Sequence, residues 1–280
     1  MATTERRRSD RVSLFSAIRV RGSDAAGGVF SVEAHTVLVT LHGAAIVVNR
    51  ELSANQQVNI RCYGTDTEAE ARVVGRIEQR PEGFLYGIQF LDPTVNPWNI
   101  KFPASGPAPN AVGRLLLQCS DCQRRELVYL DELELEVFGA NQGLTRLCSA
   151  CQKPTTWKAT PQEVSAAEGE AVATAEEAGD SAASLVPRTR NDRRYVRVRM
   201  KLKACIRHLE LGEEVVDCDD VSRGGISFTS PKEYVRDAII EAAVPYLAGQ
   251  ANIFTRARIA NLRPAPQGKG LTKYGVAYLS

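Results

Sequence analysis

The chain has 280 residues, 44% apolar and 24% charged, a globular composition long enough for two or three domains. Its 35 Lys and Arg against 33 Asp and Glu leave a net charge of +2, so a nucleic-acid or membrane role would need a local patch. No apolar run approaches the roughly 18 residues of a membrane span, and the charged start, Glu5-Arg6-Arg7-Arg8, has no secretory core; a cytoplasmic, reducing location is expected, where seven cysteines do not make a disulfide framework.

After Arg6-Arg7-Arg8-Ser9-Asp10-Arg11, residues 12–20 alternate apolar and polar side chains, which predicts a strand. A loop of Gly, Asp and Ala over 22–28 leads to a second run at 29–32. Further short runs follow at 47–48, 58–60, 71–74 and 85–91. Short strands separated by turn signals predict a β-barrel or sandwich over residues 1–105.

Residues 103–110, rich in Pro, read as a stiff linker. Two knuckles follow, Cys119-Ser120-Asp121-Cys122 and Cys148-Ser149-Ala150-Cys151. Each offers two thiolates to one tetrahedral Zn²⁺. The 25 residues between them exceed the usual spacing of about 15–20. The insert over 127–138 alternates like a strand at its end, while Leu127, Leu130 and Leu133 also suit a helix; both readings stay open. Residues 111–158 resemble a zinc ribbon, which makes Cys119, Cys122, Cys148 and Cys151 the ligands of a structural zinc. Four thiolates leave no open position for a catalytic water. A redox pair is the weaker reading, because such motifs sit in βαβ contexts. Cys62, Cys205 and Cys218 fall in or beside strand patterns and read as buried hydrophobes. Residues 159–187 carry Glu163, Glu168, Glu170, Glu176, Glu177 and Asp180 with no Lys or Arg, the composition of an acidic disordered linker.

The sign then reverses through Arg188, Arg190, Arg193, Arg194, Arg197, Arg199, Lys201 and Lys203. Residues 198–206 alternate as a strand, and Gly212 turns it into a second at 214–218. The corner Asp220-Val221-Ser222-Arg223-Gly224-Gly225 leads into 226–228, and runs at 253–262 and 274–279 close the domain. The composition of 234–246 allows a helix, which Pro245 disfavours at Val244. R-x-x-x-R at Arg193 and Arg197, followed by D-x-S-x-x-G at Asp220, Ser222 and Gly225, resembles the signature of PilZ domains, bacterial receptors for cyclic di-GMP. The resemblance covers about 188–280. It implies a β-barrel with 240–244 as a strand, and a ligand site of Arg193, Arg194, Arg197, Asp220, Ser222 and Gly225. The chemistry suits that ligand. An Arg fork meets the O6 and N7 of guanine, stacks on a base plane or grips phosphate. A carboxylate accepts from guanine N–H groups, and a hydroxyl adds a further contact.

The first segment resembles a second copy. Arg7 and Arg11 match Arg193 and Arg197, Ala71-Arg72-Val73 matches Ala257-Arg258-Ile259, and Tyr86-Gly87-Ile88 matches Tyr274-Gly275-Val276. Setting Ala45-Ile46-Val47-Val48 beneath Gly225-Ile226-Ser227-Phe228 places Thr40 opposite Asp220, His42 opposite Ser222 and Ala45 opposite Gly225. On that alignment carboxylate and glycine are both lost, so this copy is expected to pack, dimerise or hold a partner and not to form a second nucleotide site. The expected fold is mainly β: a degenerate PilZ-like barrel (1–105), a zinc ribbon (111–158), the linker (159–187) and a PilZ domain (188–280). Many relatives carry a further C-terminal helix; without one here, a barrel opening is expected to be open or covered by the other domains. The expected function is non-enzymatic. Cyclic di-GMP binding is expected to be converted into a domain rearrangement or a partner interaction, and the resemblance implies motility, adhesion or polysaccharide export as the output. Alternatives are a nucleic-acid-binding zinc-ribbon protein, supported by Arg124-Arg125 but opposed by Asp121, Glu126, Asp131, Glu132, Glu134 and Glu136, and a non-binding scaffold.

Overall fold

The computed structural model describes residues 10–24, 27–103, 110–162, 197–200, 202–265 and 270–279. Arg7, Arg193 and Arg194 lie outside these, as do most of the Pro-rich linker and all of the acidic stretch beyond residue 162.

The chain begins with a short arm, β1 (Arg11–Val12), followed by β2 (Ala17–Ser23), β3 (Val29–Thr40), β4 (Gly43–Val48), β5 (Gln57–Cys62), β6 (Thr67–Arg80) and β7 (Gly83–Phe90). In the order β3-β2-β5-β6-β7-β4, with β3 also paired to β4, the last six close an antiparallel barrel. Strict alternation drives this. In β6, Ala69, Ala71 and Val73 are buried while Glu68, Glu70 and Arg72 face solvent, as a filled small barrel requires.

The middle module contains β8 (Ile100–Lys101), β9 (Gly113–Cys119), β10 (Arg125–Leu130), α1 (Glu132–Asn141), β11 (Leu144–Cys148) and β12 (Lys153–Ala159), in a sheet ordered β11-β12-β9-β10-β8. Residues 127–138, left open by the sequence, divide between strand and helix at Asp131. The Asp131 carboxylate accepts from Glu134 N at 2.9 Å, and Glu134 accepts from Asp131 N at 3.2 Å. This reciprocal cap starts the helix.

The second barrel comprises β13 (Lys203–His208), β14 (Gly212–Ser222), β15 (Gly225–Ser230), β16 (Ile239–Ala243), β17 (Ile253–Pro264) and β18 (Thr272–Tyr278). The order β16-β13-β14-β15-β18-β17 closes through β16 and β17. The ambiguous 234–246 stretch is therefore a strand where the family resemblance implied one.

Both predicted first strands are broken. Val12 pairs with Val39 before β2 begins at Ala17, and Val198 bridges Val221 before β13 begins at Lys203. Each arm lies along the corner end of the next long strand, and the chain must leave it to enter the barrel wall. The first arm does more: Arg11 and Val12 also pair with Phe254 and Ile253 of β17, joining both barrels into one sheet.

Two cores result. One gathers the first barrel with Trp98, Ile100, Leu116 and Leu127. The other gathers Ile206, Phe228 and Ile259 of the second barrel with Leu117, Leu135, Phe138 and Trp157. Neighbouring residues of a strand face opposite sides, so β9 sends Leu116 into one core and Leu117 into the other. The middle module packs directly against the second barrel's interior.

Candidate functional site

The corner between β14 and β15 brings Arg197 onto Asp220. Arg197 Nη1 donates to Asp220 Oδ1 at 2.7 Å, and Ser227 Oγ donates to Asp220 Oδ2 at 2.6 Å. The arm is held there by two backbone hydrogen bonds between Val198 and Val221, each 2.8 Å. A β-bulge between Cys218 and Asp220 sets the carboxylate opposite Ser227, in keeping with the way bulges re-aim side chains. Ser222 is buried and its hydroxyl donates to Gly225 O at 3.1 Å. Gly225, at φ +155°, has no room for a side chain: a Cβ would sit 1.9 Å from Val276 O. Sequence reasoning missed Ser227, whose place opposite Asp220 depends on the bulge.

The first barrel repeats this corner with a different register from the one expected. Leu38 pairs with Ala45 and Thr40 with Gly43, just as Asp220 pairs with Ser227 and Ser222 with Gly225. The same bulge occurs, between Thr36 and Leu38. Thr40 Oγ1 donates to Gly43 O at 3.2 Å, and a Cβ on Gly43 would lie 2.1 Å from Ile88 O. The alignment of Thr40, His42 and Ala45 with Asp220, Ser222 and Gly225 is thus displaced by two residues. Hydroxyl and glycine are retained as Thr40 and Gly43. The carboxylate is replaced by Leu38, and Ser227 by Ala45. A further pair supports the repeat: Tyr86 OH accepts from Leu52 N at 2.9 Å, and Tyr274 OH from Tyr234 N at 3.2 Å.

This register makes Gly43→Ala damaging. The added methyl meets backbone and not a movable side chain, so a loss of at least about 2–3 kcal/mol is expected. Urea unfolding followed by Trp98 fluorescence checks it, because the Trp98 indole donates to Thr40 O at this corner, at 3.0 Å. An unchanged midpoint would contradict the register.

With no carboxylate beneath it, Arg11 takes another partner. Its guanidinium pairs with Glu241 on β16 of the second barrel. Asp10, beside it, accepts from Tyr129 OH at 2.6 Å and pairs with Arg114 Nη1 at 3.2 Å.

The four knuckle cysteines converge, with sulfur atoms all within 4.8 Å of one another. Cys119 and Cys151 are 4.0 Å apart and Cys122 and Cys148 are 3.6 Å apart. Tetrahedral Zn–S bonds of about 2.3 Å would put sulfurs about 3.8 Å apart, so the set fits that ion. The knuckles share one turn: Gln123 N donates to Cys119 O at 3.0 Å, Gln152 N to Cys148 O at 2.9 Å, and both glutamines have positive φ. Burial raises the Cys119 thiol, but the Cys122 N–H, the Thr155 hydroxyl and the Asp121 N–H outweigh it and bring the group down to about 6. The neighbouring thiols, Cys122 first, push Cys151 up to about 12. Sulfurs this close do not all ionise without a cation among them. Cys62, Cys205 and Cys218 are buried and are not among the four converging sulfurs, and burial pushes Cys218 up to about 12, the condition of an unreactive thiol.

Among the described residues no helix is long and apolar enough to cross a membrane. The PilZ domain family matches residues 5–99 and 191–280. No curated protein matches the chain. Among solved structures, it is similar to the Bacillus subtilis inhibitor of motility MotI/DgrA, with 10% identity and a TM-score of 0.27 over 95% of this chain and 88% of that one. It is also similar to K. pneumonia MrkH in complex with c-di-GMP (9%, TM-score 0.27, 95% of this chain and 79% of that one). A further likeness is to Escherichia coli YcgR in complex with c-di-GMP (10%, TM-score 0.22, 94% and 76%).

Proposed function

The chain belongs to the PilZ domain family, matched on both sides of its cysteine module, and from that premise we propose that its second barrel is a receptor for cyclic di-GMP while its first barrel is a structural partner. The observation carrying this reading is a difference between two corners of matching register: Asp220 bonded to Arg197 and Ser227 in one, Leu38 opposite Ala45 in the other. Asp220 serves first by aiming Arg197. One carboxylate oxygen holds the guanidinium, and its remaining N–H groups meet guanine O6 and N7 or a phosphate. Arg193 and Arg194, just before Arg197 in the sequence, complete the cover over the ligand by stacking or phosphate contact. Ser222 and Gly225 hold the corner in shape, the first through its bond to Gly225 O and the second through its approach to Val276 O.

The role is binding and not catalysis. Ligand capture on the arm changes how the barrels and the cysteine module present themselves to a protein partner in motility, adhesion or polysaccharide export. Cys119, Cys122, Cys148 and Cys151 hold a structural zinc, which fastens the two knuckles on which β9 through β12 are built. A calorimetric titration with cyclic di-GMP, alongside GMP and GTP, tests the receptor reading. Saturable heat for cyclic di-GMP and none for the mononucleotides is expected. No heat at millimolar ligand would sink it.

A further inference from the structure

Between the first barrel and the first cysteine knuckle lies a cavity of about 180 Å³. Phe15 and Trp98 line it on the barrel side, and Gln118, Gln123 and Arg125 line it on the knuckle side. Gly64, Cys122 and Gln123 in its wall are exposed, so it communicates with solvent. The space has a local cause. Alternate residues of a strand share a face, so Gln118 and Arg125 follow Leu116 and Leu127 on the face that β9 and β10 turn to the first core. The leucines fill that core, whereas the amide and the guanidinium beyond them do not continue it.

Arg125 is half-buried, and among the described residues it makes no ion pair. Its Nε donates to Gln118 Oε1 at 3.4 Å, and the Gln118 amide donates in turn to Gln123 Oε1. Among the described residues, Nη1 and Nη2 have no hydrogen-bond acceptor, cysteine sulfurs included. The acidic neighbours are engaged elsewhere: Glu126 with Lys101 at 3.4 Å and Asp121 with Lys153 at 2.9 Å. Lys158, which flanks Gln118 from the opposite strand, adds a second positive charge. A cation drawn out of water without a counter-ion is unfavourable, and an anion in the cavity relieves that.

We propose that this cavity binds a small aromatic carboxylate, with Arg125 as the residue that takes its carboxylate. The site is separate from the cyclic di-GMP reading above. Nη1 and Nη2 present two N–H donors to two carboxylate oxygens, while Gln118 holds Nε. Size sets the rest of the ligand. An apolar cavity of about 150 Å³ takes up benzene, so 180 Å³ has room for one ring and its carboxylate. Phe15 and Trp98 give that ring aromatic neighbours, and both are braced without it. Phe15 packs on His35 with centroids 5.0 Å apart, and Trp98 packs on Phe90 at 5.6 Å and donates to Thr40 O. A ligand touching both walls ties the first barrel to the cysteine module.

The test is a benzoate titration of the full chain in a Trp157→Phe background, followed by the emission of Trp98 in the cavity wall. Saturation below about 10 mM is expected for so small a ligand. Benzamide keeps the ring without the charge, and inorganic phosphate keeps a charge without the ring; each should bind at least about tenfold more weakly. Arg125→Gln should weaken benzoate binding at least about tenfold, the scale of a lost charge-assisted contact. Benzamide and phosphate are compared with benzoate on one chain, so their result decides even where Arg125→Gln is unstable. No saturable change with benzoate, equal binding of benzamide or phosphate, or unchanged benzoate affinity in a folded Arg125→Gln overturns the proposal. The cavity shares no residue with Arg197, Asp220 or Ser227, so each of these outcomes leaves the receptor reading standing.

Discussion

Arg197→Ala should weaken cyclic di-GMP binding by about 30- to 150-fold, equivalent to about 2–3 kcal/mol for a charge-assisted bidentate contact. The loss is double. The guanidinium that meets the ligand disappears, and Asp220 is left with Ser227 as its remaining partner among the contacts described above. Asp220→Ala should weaken binding less and blur the preference for guanine, because Arg197 keeps its charge but is no longer aimed. Arg11→Ala should leave affinity within about twofold, since Leu38 and Ala45 build no site around it. Its effect should appear in stability, at about 1 kcal/mol or less, because the Arg11–Glu241 pair is partly exposed, at 27% and 24%. Titration and thermal unfolding of the three variants under one salt condition separate these outcomes. Equal binding losses from Arg11→Ala and Arg197→Ala would mean that the first barrel contributes directly to the site.

Removing zinc should destabilise the second barrel as well as the cysteine module. A free-standing zinc ribbon would unfold alone on chelation, because metal binding supplies the folding energy of such units. Here Cys119, Cys148, Phe138 and Trp157 share one core with Ile206, Phe228 and Ile259. Loss of the metal therefore opens an apolar face that the second barrel also uses. Cys148→Ser should carry no zinc, in place of about one per chain for a tetrathiolate site. Its unfolding midpoint should fall by roughly 5 °C or more if only one or two kcal/mol of shared packing is lost. The two tryptophans divide the readout: Trp157 lies in the second core and Trp98 in the first. In a Trp98→Phe background the Trp157 signal should shift on chelation, whereas the Trp98 signal in Trp157→Phe should shift less. Freshly reduced protein without zinc, or a second barrel indifferent to chelation, would contradict this.

Local features were legible from residue order alone. Alternation in β5 and β6 is a property of neighbouring residues, so it marks the barrel strands without knowledge of their partners. The C-x-x-C knuckles are single turns, and their spacing identifies them. The R-x-x-x-R and D-x-S-x-x-G runs are each a few residues long, and the second lies within one corner. The helix at Glu132 had a readable cap in Asp131 and Glu134, obscured by the alternation of Leu133, Leu135 and Val137.

Long-range pairing was decided only by the tertiary structure. Strands repeat with a period of two, so a slip of two residues preserves every inward and outward position. Hydrophobic pattern therefore could not distinguish Thr40 from Leu38 as the counterpart of Asp220. The shared bulge and the tight approaches of Gly43 to Ile88 and of Gly225 to Val276 made the distinction. Nor does any local signal announce that Arg11 reaches Glu241, Asp10 reaches Arg114, or Leu116 and Leu117 enter different cores. Those contacts join residues separated by as many as 230 positions. They exist because two closed barrels and a cysteine module leave one arm and one strand to bury between them.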